Sequence, residues 1–170
     1  MKKNQGFSLI ELIVVIAIMA ILVGVLAPAY LRYVEKSRRS TDVDTVSEIM
    51  SAAEKVASEA QYDQYITNGT TFTISVNSDY TFKLETTSSD TDKRVVDAWT
   101  AMSNNSSNVK LTSKAFKGNS GSSSVVGTVG KDGNITWKGN GLFQKGKAAS
   151  DKEGEWFTSY SPDFEKKLNS

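Results

Sequence analysis

Glu11 is the side chain in this sequence with the clearest potential for chemistry. It is followed by 20 uncharged residues, Leu12 to Leu31, that are rich in Ile, Val, Leu and Ala. An ionisable residue beside such a stretch marks a functional site by default, because an unpaired charge in an apolar medium is costly. One interpretation is a helix-start glutamate that is stabilised by the positive end of the helix dipole. The other pairs Glu11 with a free α-amine at Phe7, four residues earlier on the same helix face, which cleavage after Gly6 would create.

The segment from Leu12 to Leu31 predicts a helix about 30 Å long, which matches the hydrocarbon thickness of a bilayer. Hydropathy by itself allows a cleaved secretory signal, a transmembrane anchor or a buried core helix. A core helix is disfavoured because the run is apolar on every face. A secretory signal has a shorter apolar region with its small-residue cleavage site after it, whereas here the small residue, Gly6, stands before the run. We therefore expect the segment to remain in the mature protein.

Composition excludes several kinds of active site. The chain has 170 residues, no histidine and no cysteine, which removes the usual general base, thiol nucleophile and zinc ligands. The 20 basic and 19 acidic side chains nearly balance, and nothing indicates the basic stripe of a nucleic-acid-binding domain. We therefore expect no enzyme, no metal, no cofactor and no specific nucleic-acid partner.

Weaker signals on polar segments are interpreted as surface features. Acidic residues occur there in close pairs that are usually solvated. The pairs are Asp90/Asp92 and Glu153/Glu155. Asp132-Gly133-Asn134 resembles a fragment of a calcium loop but lacks the spaced acidic ligands, so it predicts a turn. Glycan-acceptor patterns are interpreted as chance matches. They begin at Asn68, Asn104, Asn105 and Asn134.

The residues around Glu11 resemble a known processing motif. The run Gly6-Phe7-Ser8-Leu9-Ile10-Glu11-Leu12-Ile13 is similar to that of type IV pilins, a family that includes the pseudopilins of type II secretion. The resemblance covers roughly residues 1–40, and the six-residue leader resembles the short-leader, type IVa branch. In this family a membrane prepilin peptidase cuts after the glycine and methylates the new N-terminal phenylalanine. The resemblance implies cleavage between Gly6 and Phe7, methylation of Phe7, and an assembly role for Phe7 and Glu11.

The same resemblance implies a function and a location. We expect a structural subunit, and specifically a major pilin, that is a single-pass protein of the cytoplasmic membrane before assembly and part of an extracellular fibre afterwards. Its expected partners are other copies of itself, the prepilin peptidase, the pilus assembly machinery and, before assembly, membrane lipid. A minor pilin, a pseudopilin or a non-polymerising membrane-tethered surface protein remain alternatives.

Two features near the C-terminus are judged against the family. Many Gram-negative pilins close their C-terminal loop with a disulfide, which this cysteine-free chain cannot form. How its C-terminal region is held is therefore open. Glycosylated serines occur near the C-terminus of some pilins, which makes Ser170 a candidate.

Gly24 and Pro28 mark a weak turn within the apolar helix. Proline lacks an N–H and crowds the carbonyl of the residue four positions earlier, which is Gly24, itself a poor helix former. The pair predicts a kink, a segment that melts when subunits pack in a fibre, or both.

Basic residues follow the apolar run and complicate its orientation. They are Arg32, Lys36, Arg38 and Arg39, offset by Glu35. The positive-inside rule would not place this cluster outside, but the family resemblance requires the leader to be inside, and we take the orientation from it. The cluster is interpreted either as a solvated face that snorkels near the headgroups or as a basic collar that meets an acidic surface of a neighbouring subunit.

Beyond this cluster the helix becomes amphipathic. Apolar residues recur at three- and four-residue steps and predict one buried stripe. They are Val43, Val46, Ile49, Met50, Ala53, Val56, Ala57 and Ala60. Acidic residues such as Asp42 and Asp44 are assigned to the other faces. The expected organisation is a cleaved leader, 1–6, a transmembrane or fibre-core helix, 7–31, the amphipathic half of the same helix, 32–62, and a β-rich head, 63–170.

The remaining sequence predicts an antiparallel sheet. Alternating apolar residues indicate one hairpin with strands Phe72–Val76 and Tyr80–Leu84, and a second with strands Val125–Val129 and Asn134–Lys138 around an Asp-Gly turn. The expected fold class is α+β, the pilin fold, in which a long N-terminal helix packs on this sheet.

Less regular segments complete the predicted head. Helical spacing predicts a helix over Asp92–Met102, and Val109 with Leu111 predicts a short strand. The Gly/Ser-rich stretch Gly118–Ser124 is expected to be mobile. The tail from Gly139 is expected to wrap over the sheet and to end in a short helix at Pro162–Leu168.

Overall fold

The computed structural model describes residues 8–91, 93–103, 109–118, 123–144 and 162–168. Within them the helices are α1 (Leu9–Ala57), α2 (Arg94–Met102), α3 (Lys114–Gly118) and α4 (Pro162–Lys167). The strands are β1 (Thr71–Val76), β2 (Phe82–Thr86), β3 (Ser124–Val129) and β4 (Ile135–Asn140), and short 3₁₀ turns occupy Ala60–Tyr62 and Gly141–Phe143. The expected α+β architecture is confirmed.

The chain divides into two compact units, Met1–Ser37 and Arg38–Ser170, and α1 contributes residues to both. In the first unit every described side chain from Leu9 to Leu31 is exposed. This part of α1 is long and apolar enough to cross a membrane. An apolar surface on all sides of a helix needs lipid or protein around it.

In the second unit α1 buries one stripe against the sheet. The predicted residues from Val43 to Val56 are buried, and Ala52 joins them. The prediction extended the helix too far, because α1 ends at Ala57 and Ala60 is exposed in the following 3₁₀ turn. Backbone bonds from Ser58 to both Glu54 and Lys55 tighten the last turn and end the helix.

The sheet is antiparallel throughout and has the order β2-β1-β3-β4. Both predicted hairpins are confirmed, and Ile74 in β1 lies between Leu84 of β2 and Val125 of β3. Alternate residues of each strand face α1 because side chains in a strand point to opposite faces. The second hairpin turns at Gly133, whose φ of 78° suits glycine.

Two tryptophans join the sheet and α2 to α1. Trp99 is fully buried, donates its indole N–H to the Ile49 carbonyl at 2.8 Å, and packs edge-on against Phe72 with ring centroids 5.1 Å apart. Trp137 donates its indole N–H to Glu54 Oε1 at 3.0 Å. Its ring fills the space over Gly127, where a Cβ would lie only 2.7 Å from the indole. Each indole therefore buries a large apolar surface and still satisfies its N–H.

The predicted strand at Val109–Leu111 is wrong. The Leu111 N–H donates to the Tyr80 carbonyl, and the Phe82 N–H donates to the Val109 carbonyl. Within the described residues these two bonds make a single isolated bridge, between Lys110 and Thr81, and no strand. Pairing stops there because the next N–H groups bond to a side chain of α1, as described below. The chain then forms α3, which the sequence analysis did not predict, with the Ser113 hydroxyl accepting from the Phe116 N–H at 3.2 Å.

Other boundaries shift by a few residues. The second strand begins at Phe82 because Tyr80 lies in the turn with a φ of 68°. Helix α2 begins at Arg94, and Asp92 lies outside the described residues. The expected mobility of Gly118–Ser124 is not tested, since residues 119–122 also lie outside, but Ser123 is buried and Ser124 begins β3.

The predicted closing helix α4 is confirmed, and it packs against other elements of the second unit. Phe164 and Leu168 are buried, and the Phe164 ring lies 6.2 Å from that of Phe143. Lys167 donates to the Ser47 carbonyl at 3.3 Å and to Ser51 Oγ at 2.7 Å. Apolar packing and a lysine bound to α1 therefore hold the end of the chain without a disulfide.

Replacing Lys167 with methionine is expected to lower the free energy of unfolding by about 1.5 kcal/mol, since a charged donor loses its two acceptors on α1. Lys166→Met is the matched control. Among the described residues its ammonium pairs with exposed Asp163 alone, so the expected loss is within about 0.5 kcal/mol. Guanidinium denaturation of the full chain in detergent, followed by tryptophan fluorescence, measures both. Equal losses would show that the contacts of Lys167 with α1 do not fasten α4.

Candidate functional site

The carboxylate of Glu11 folds back onto the start of its own helix. Its Oε2 accepts from the Ser8 backbone N–H at 2.8 Å, and the Ser8 carbonyl accepts from the Leu12 N–H at 3.3 Å. Helix α1 begins at Leu9, which makes Ser8 the residue that precedes the first turn and Glu11 the third residue within it. This is the glutamate half of a capping box. The Ser-x-x-Glu spacing of Ser8 and Glu11 is the sequence signal for this bond.

The first interpretation of Glu11, as a helix-start glutamate, thus describes its local geometry. The side chain is exposed in the isolated chain. The Ser8 N–H contributes a dipole but no full positive charge, so this bond does not supply a counter-charge for Glu11. Gly6 and Phe7 lie outside the described residues, and their cleavage, methylation and pairing with Glu11 stay predictions.

Gly24 and Pro28 both lie inside α1, which is assigned as helical from one end to the other. The space beside Gly24 is open, since a methyl group there would meet no described atom outside the local backbone within 4 Å. Pro28 cannot donate to the Gly24 carbonyl, so this turn lacks one helical hydrogen bond. The melting of this segment in a fibre stays a prediction.

The basic residues after the apolar run lie on the surface. Arg32, Lys36 and Arg38 are exposed, and Arg39 is half-buried. Neither interpretation of this cluster is tested by the described residues.

The predicted position of Asp42 on a polar face of the helix is wrong. The residue is only 2% exposed, although it was assigned to a polar face. Its Oδ1 accepts from the Thr112 N–H and Thr112 Oγ1–H, each at 2.8 Å, and its Oδ2 accepts from the Ser113 N–H at 2.8 Å. The Thr112 hydroxyl also lies 3.3 Å from the Arg38 carbonyl. One carboxylate of α1 thus binds the segment before α3.

The spacing that predicted the stripe also places Asp42 on it, because Asp42 lies four and seven residues before the buried Val46 and Ile49. Burial raises the pKa of Asp42, while the bonds from Ser113 and Thr112 and the nearby Lys117 oppose that rise. The residue is structural, since all of its described partners belong to the fold.

The weaker candidates have structural roles. Asp90 accepts from the Val95 N–H at 3.0 Å at the start of α2. Asp132 lies in the predicted turn, where bonds from the Asn134 side chain at 2.6 Å and its N–H at 3.3 Å hold the Asp132 pKa below its ordinary value. Among the residues that the structure describes, no cluster of three acidic or other ligating side chains could hold a metal ion.

Two glycan-acceptor patterns fall partly or wholly in described segments. Thr70, the third residue of the pattern at Asn68, is buried and accepts from the Thr67 N–H at 3.0 Å. Asn134 belongs to the turn just described. The patterns at Asn104 and Asn105, the Glu153/Glu155 pair and Ser170 lie outside the described residues.

Comparisons with known proteins agree with the N-terminal motif. Residues 1–27 match the family model of the prokaryotic N-terminal methylation motif. Two curated relatives, each called fimbrial protein, from Pseudomonas aeruginosa, are 38% identical to this chain over 61 residues. That region covers 36% of this chain and 40% of each relative. No solved structure matches the chain.

The family-model match covers the motif that contains Glu11, and the structure adds the architecture around it. The long helix Leu9–Ala57 packs its second half against a four-stranded antiparallel sheet. The chain therefore carries the prokaryotic N-terminal methylation motif and is similar over part of its length to fimbrial proteins.

Proposed function

We propose that this chain is the major structural subunit of a type IV pilus. It is made as a membrane prepilin, cut between Gly6 and Phe7, and drawn from the bilayer into a helical surface fibre. The observation that carries the proposal is the apolar part of α1, whose side chains are all exposed from Leu9 to Leu31 and which begins at the methylation motif. Adhesion, aggregation and twitching motility are the roles that such a fibre serves.

The exposed apolar helix supports two environments for one segment. From Leu9 to Leu31 the side chains are apolar on every face, apart from Glu11 and a few small or hydroxyl-bearing residues. Lipid tails cover such a surface before assembly, and the equivalent helices of neighbouring subunits cover it in a fibre. The folded second unit has its own buried core and remains the soluble part in both states.

Glu11 and Phe7 supply the specificity of assembly. Cleavage by the prepilin peptidase creates an α-amine at Phe7 that is protonated at neutral pH. An incoming subunit can place this amine against Glu11 of a subunit already in the fibre, so that neither charge is buried unpaired. The bond from Ser8 holds Glu11 at the helix start, where the cost of its charge in the membrane is smallest.

The segment from Gly24 to Pro28 is where the helix can unwind locally. The missing hydrogen bond at Pro28 and the weak helix propensity of Gly24 lower the cost of local unwinding. Local unwinding there lets the exposed first unit adjust to the curvature and packing of a fibre.

Mass spectrometry of fibres sheared from cells tests the proposal. The dominant protein is expected to be this chain, beginning at a methylated Phe7. Gly6→Ala should abolish cleavage and leave the precursor in the membrane, because the peptidase must bring the chain close at this small residue. Gln5→Ala is the control and should be processed.

The same experiment separates the alternatives. Fibres that contain only traces of this chain would indicate a minor pilin or pseudopilin. A processed chain that never leaves the membrane would indicate a tethered surface protein, and a wild-type chain that is not cleaved would overturn the proposal.

A further inference from the structure

Four residues in the first unit form a band at the end of the apolar run. Tyr30 and Tyr33 are 66% and 71% exposed, and Arg32 and Lys36 are exposed as well. We call these four residues the interfacial girdle. The apolar run ends at Leu31, so the girdle lies where a membrane-spanning α1 leaves the hydrocarbon.

The girdle covers one side of the helix. At 3.6 residues per turn, Tyr30 and Tyr33 share one face, Arg32 and Lys36 share the neighbouring face, and the two faces are about 110° apart. Aromatic and basic side chains therefore lie next to each other at one depth, which is the composition expected where a helix leaves a bilayer.

The dimensions and chemistry of the girdle fit a lipid headgroup layer. From Tyr30 to Lys36 the helix rises about 9 Å, and the polar zone on each side of a bilayer is about 5–8 Å thick. Tyrosines concentrate at this boundary because the ring is apolar and the hydroxyl is polar. Arginine and lysine extend their charged ends to lipid phosphates while their stems cover apolar surface.

We propose that the interfacial girdle binds anionic phospholipid headgroups of the outer leaflet and sets the depth of the membrane-inserted chain. This inference rests on the membrane stage of the proposed function. It gives the basic residues after the apolar run a role on the side of the membrane where the positive-inside rule does not place them.

The girdle also positions Glu11. The rise from Glu11 to Tyr30 is about 29 Å, close to the hydrocarbon thickness. A chain held at its outer end by the girdle therefore keeps the Glu11 carboxylate at the inner boundary, where a charge is tolerated.

The cysteine-free sequence allows a direct test. The full chain with Ser37→Cys is labelled with a fluorescent donor and reconstituted in phosphatidylcholine vesicles that contain a minority of phosphatidylglycerol. Energy transfer to headgroup-labelled phosphatidylglycerol is compared with transfer to headgroup-labelled phosphatidylcholine. We expect local enrichment of the anionic lipid, roughly fivefold for each basic side chain at low salt and less at high salt.

Variants assign the enrichment to the girdle. Arg32→Gln with Lys36→Gln should remove it, whereas Lys83→Gln, an exposed lysine of β2, should not. Equal transfer to both lipids in the inserted wild-type chain would overturn the inference while leaving the proposed function intact. Transfer between labelled copies at position 37 without lipid enrichment would also overturn it, because a second chain would then cover the girdle. A chain that does not float with vesicles would overturn both the inference and the membrane stage.

Discussion

A chain carrying Glu11→Ala is expected to be cut normally between Gly6 and Phe7 but to enter fibres at less than roughly a hundredth of the wild-type level, since an unpaired charge buried by assembly costs about 3–5 kcal/mol. Cleavage should persist because the substitution leaves the Gly6–Phe7 bond unchanged. The methylated amine of Phe7 would then reach the fibre core without a counter-charge. Quantitative mass spectrometry of membranes and of sheared fibres measures the two steps separately.

The structure supplies a control that the motif alone does not suggest. Glu11 also accepts from the Ser8 N–H, so alanine removes both a helix cap and a charge. Glu11→Gln keeps an oxygen for the Ser8 N–H, and glutamine serves this position of a capping box well. We expect the glutamine variant to fail in assembly as the alanine variant does. Normal fibres from the glutamine variant would show that helix capping, and not charge neutralisation, is the task of Glu11.

Replacing Asp42 with alanine is expected to lower the free energy of unfolding by about 4 kcal/mol, because several donors lose a charged acceptor and one N–H group remains buried without one. The donors belong to Thr112 and Ser113, and the buried N–H group is that of Ser113. Denaturant unfolding of the full chain in detergent, monitored by tryptophan fluorescence, measures the loss.

Asp44→Ala is the matched control for Asp42→Ala. Asp44 lies two residues further along α1, is exposed, and has a weak contact with Ser40 at 3.5 Å. Its loss should remain within about 0.5 kcal/mol. A similar loss at both positions would mean that the buried bonds to Thr112 and Ser113 contribute little.

The pH dependence of the Asp42 contribution follows from its surroundings. Burial raises the pKa of Asp42 above its ordinary value of 3.8, so the folded chain binds this proton more tightly than the unfolded chain. The resulting stabilisation is complete below the ordinary value and is lost as the pH rises through the raised pKa. The stability of the wild type relative to Asp42→Asn should therefore decrease from acidic to neutral pH. A relative stability that grows with pH would show that the N–H bonds outweigh burial.

Patterns among neighbouring residues were sufficient to predict much of the secondary structure of this protein. The motif from Gly6 to Ile13 is contiguous, so its chemistry is visible without a fold. The apolar run, the stripe from Val43 to Val56 and the two hairpins follow from the periods of helices and strands and from an Asp-Gly turn. Each of these signals involves residues that are close in the chain, and the structure confirms the helix and both hairpins.

The wrong predictions concern backbone N–H groups that bond to a residue far away in the chain. The segment Val109–Leu111 has the pattern of a strand, but Asp42, about 70 residues earlier, takes the N–H groups of Thr112 and Ser113 and stops the pairing. Asp42 is of a residue type usually found on the surface, and those N–H groups together with the Thr112 hydroxyl make its burial tolerable. Tyr80 fits the alternation of a strand but lies in the turn that presents its carbonyl to Leu111.

The sequence by itself thus determined the N-terminal methylation motif, the apolar stem and the class of the fold, because these depend on neighbouring residues and on periodicity. Tertiary structure alone decided that Asp42 is buried and that Lys167 fastens α4 to Ser47 and Ser51. The physical reason is that a buried polar group is stable only with a partner. For Asp42 and Lys167 that partner lies far along the chain, where composition and periodicity give no sign of it.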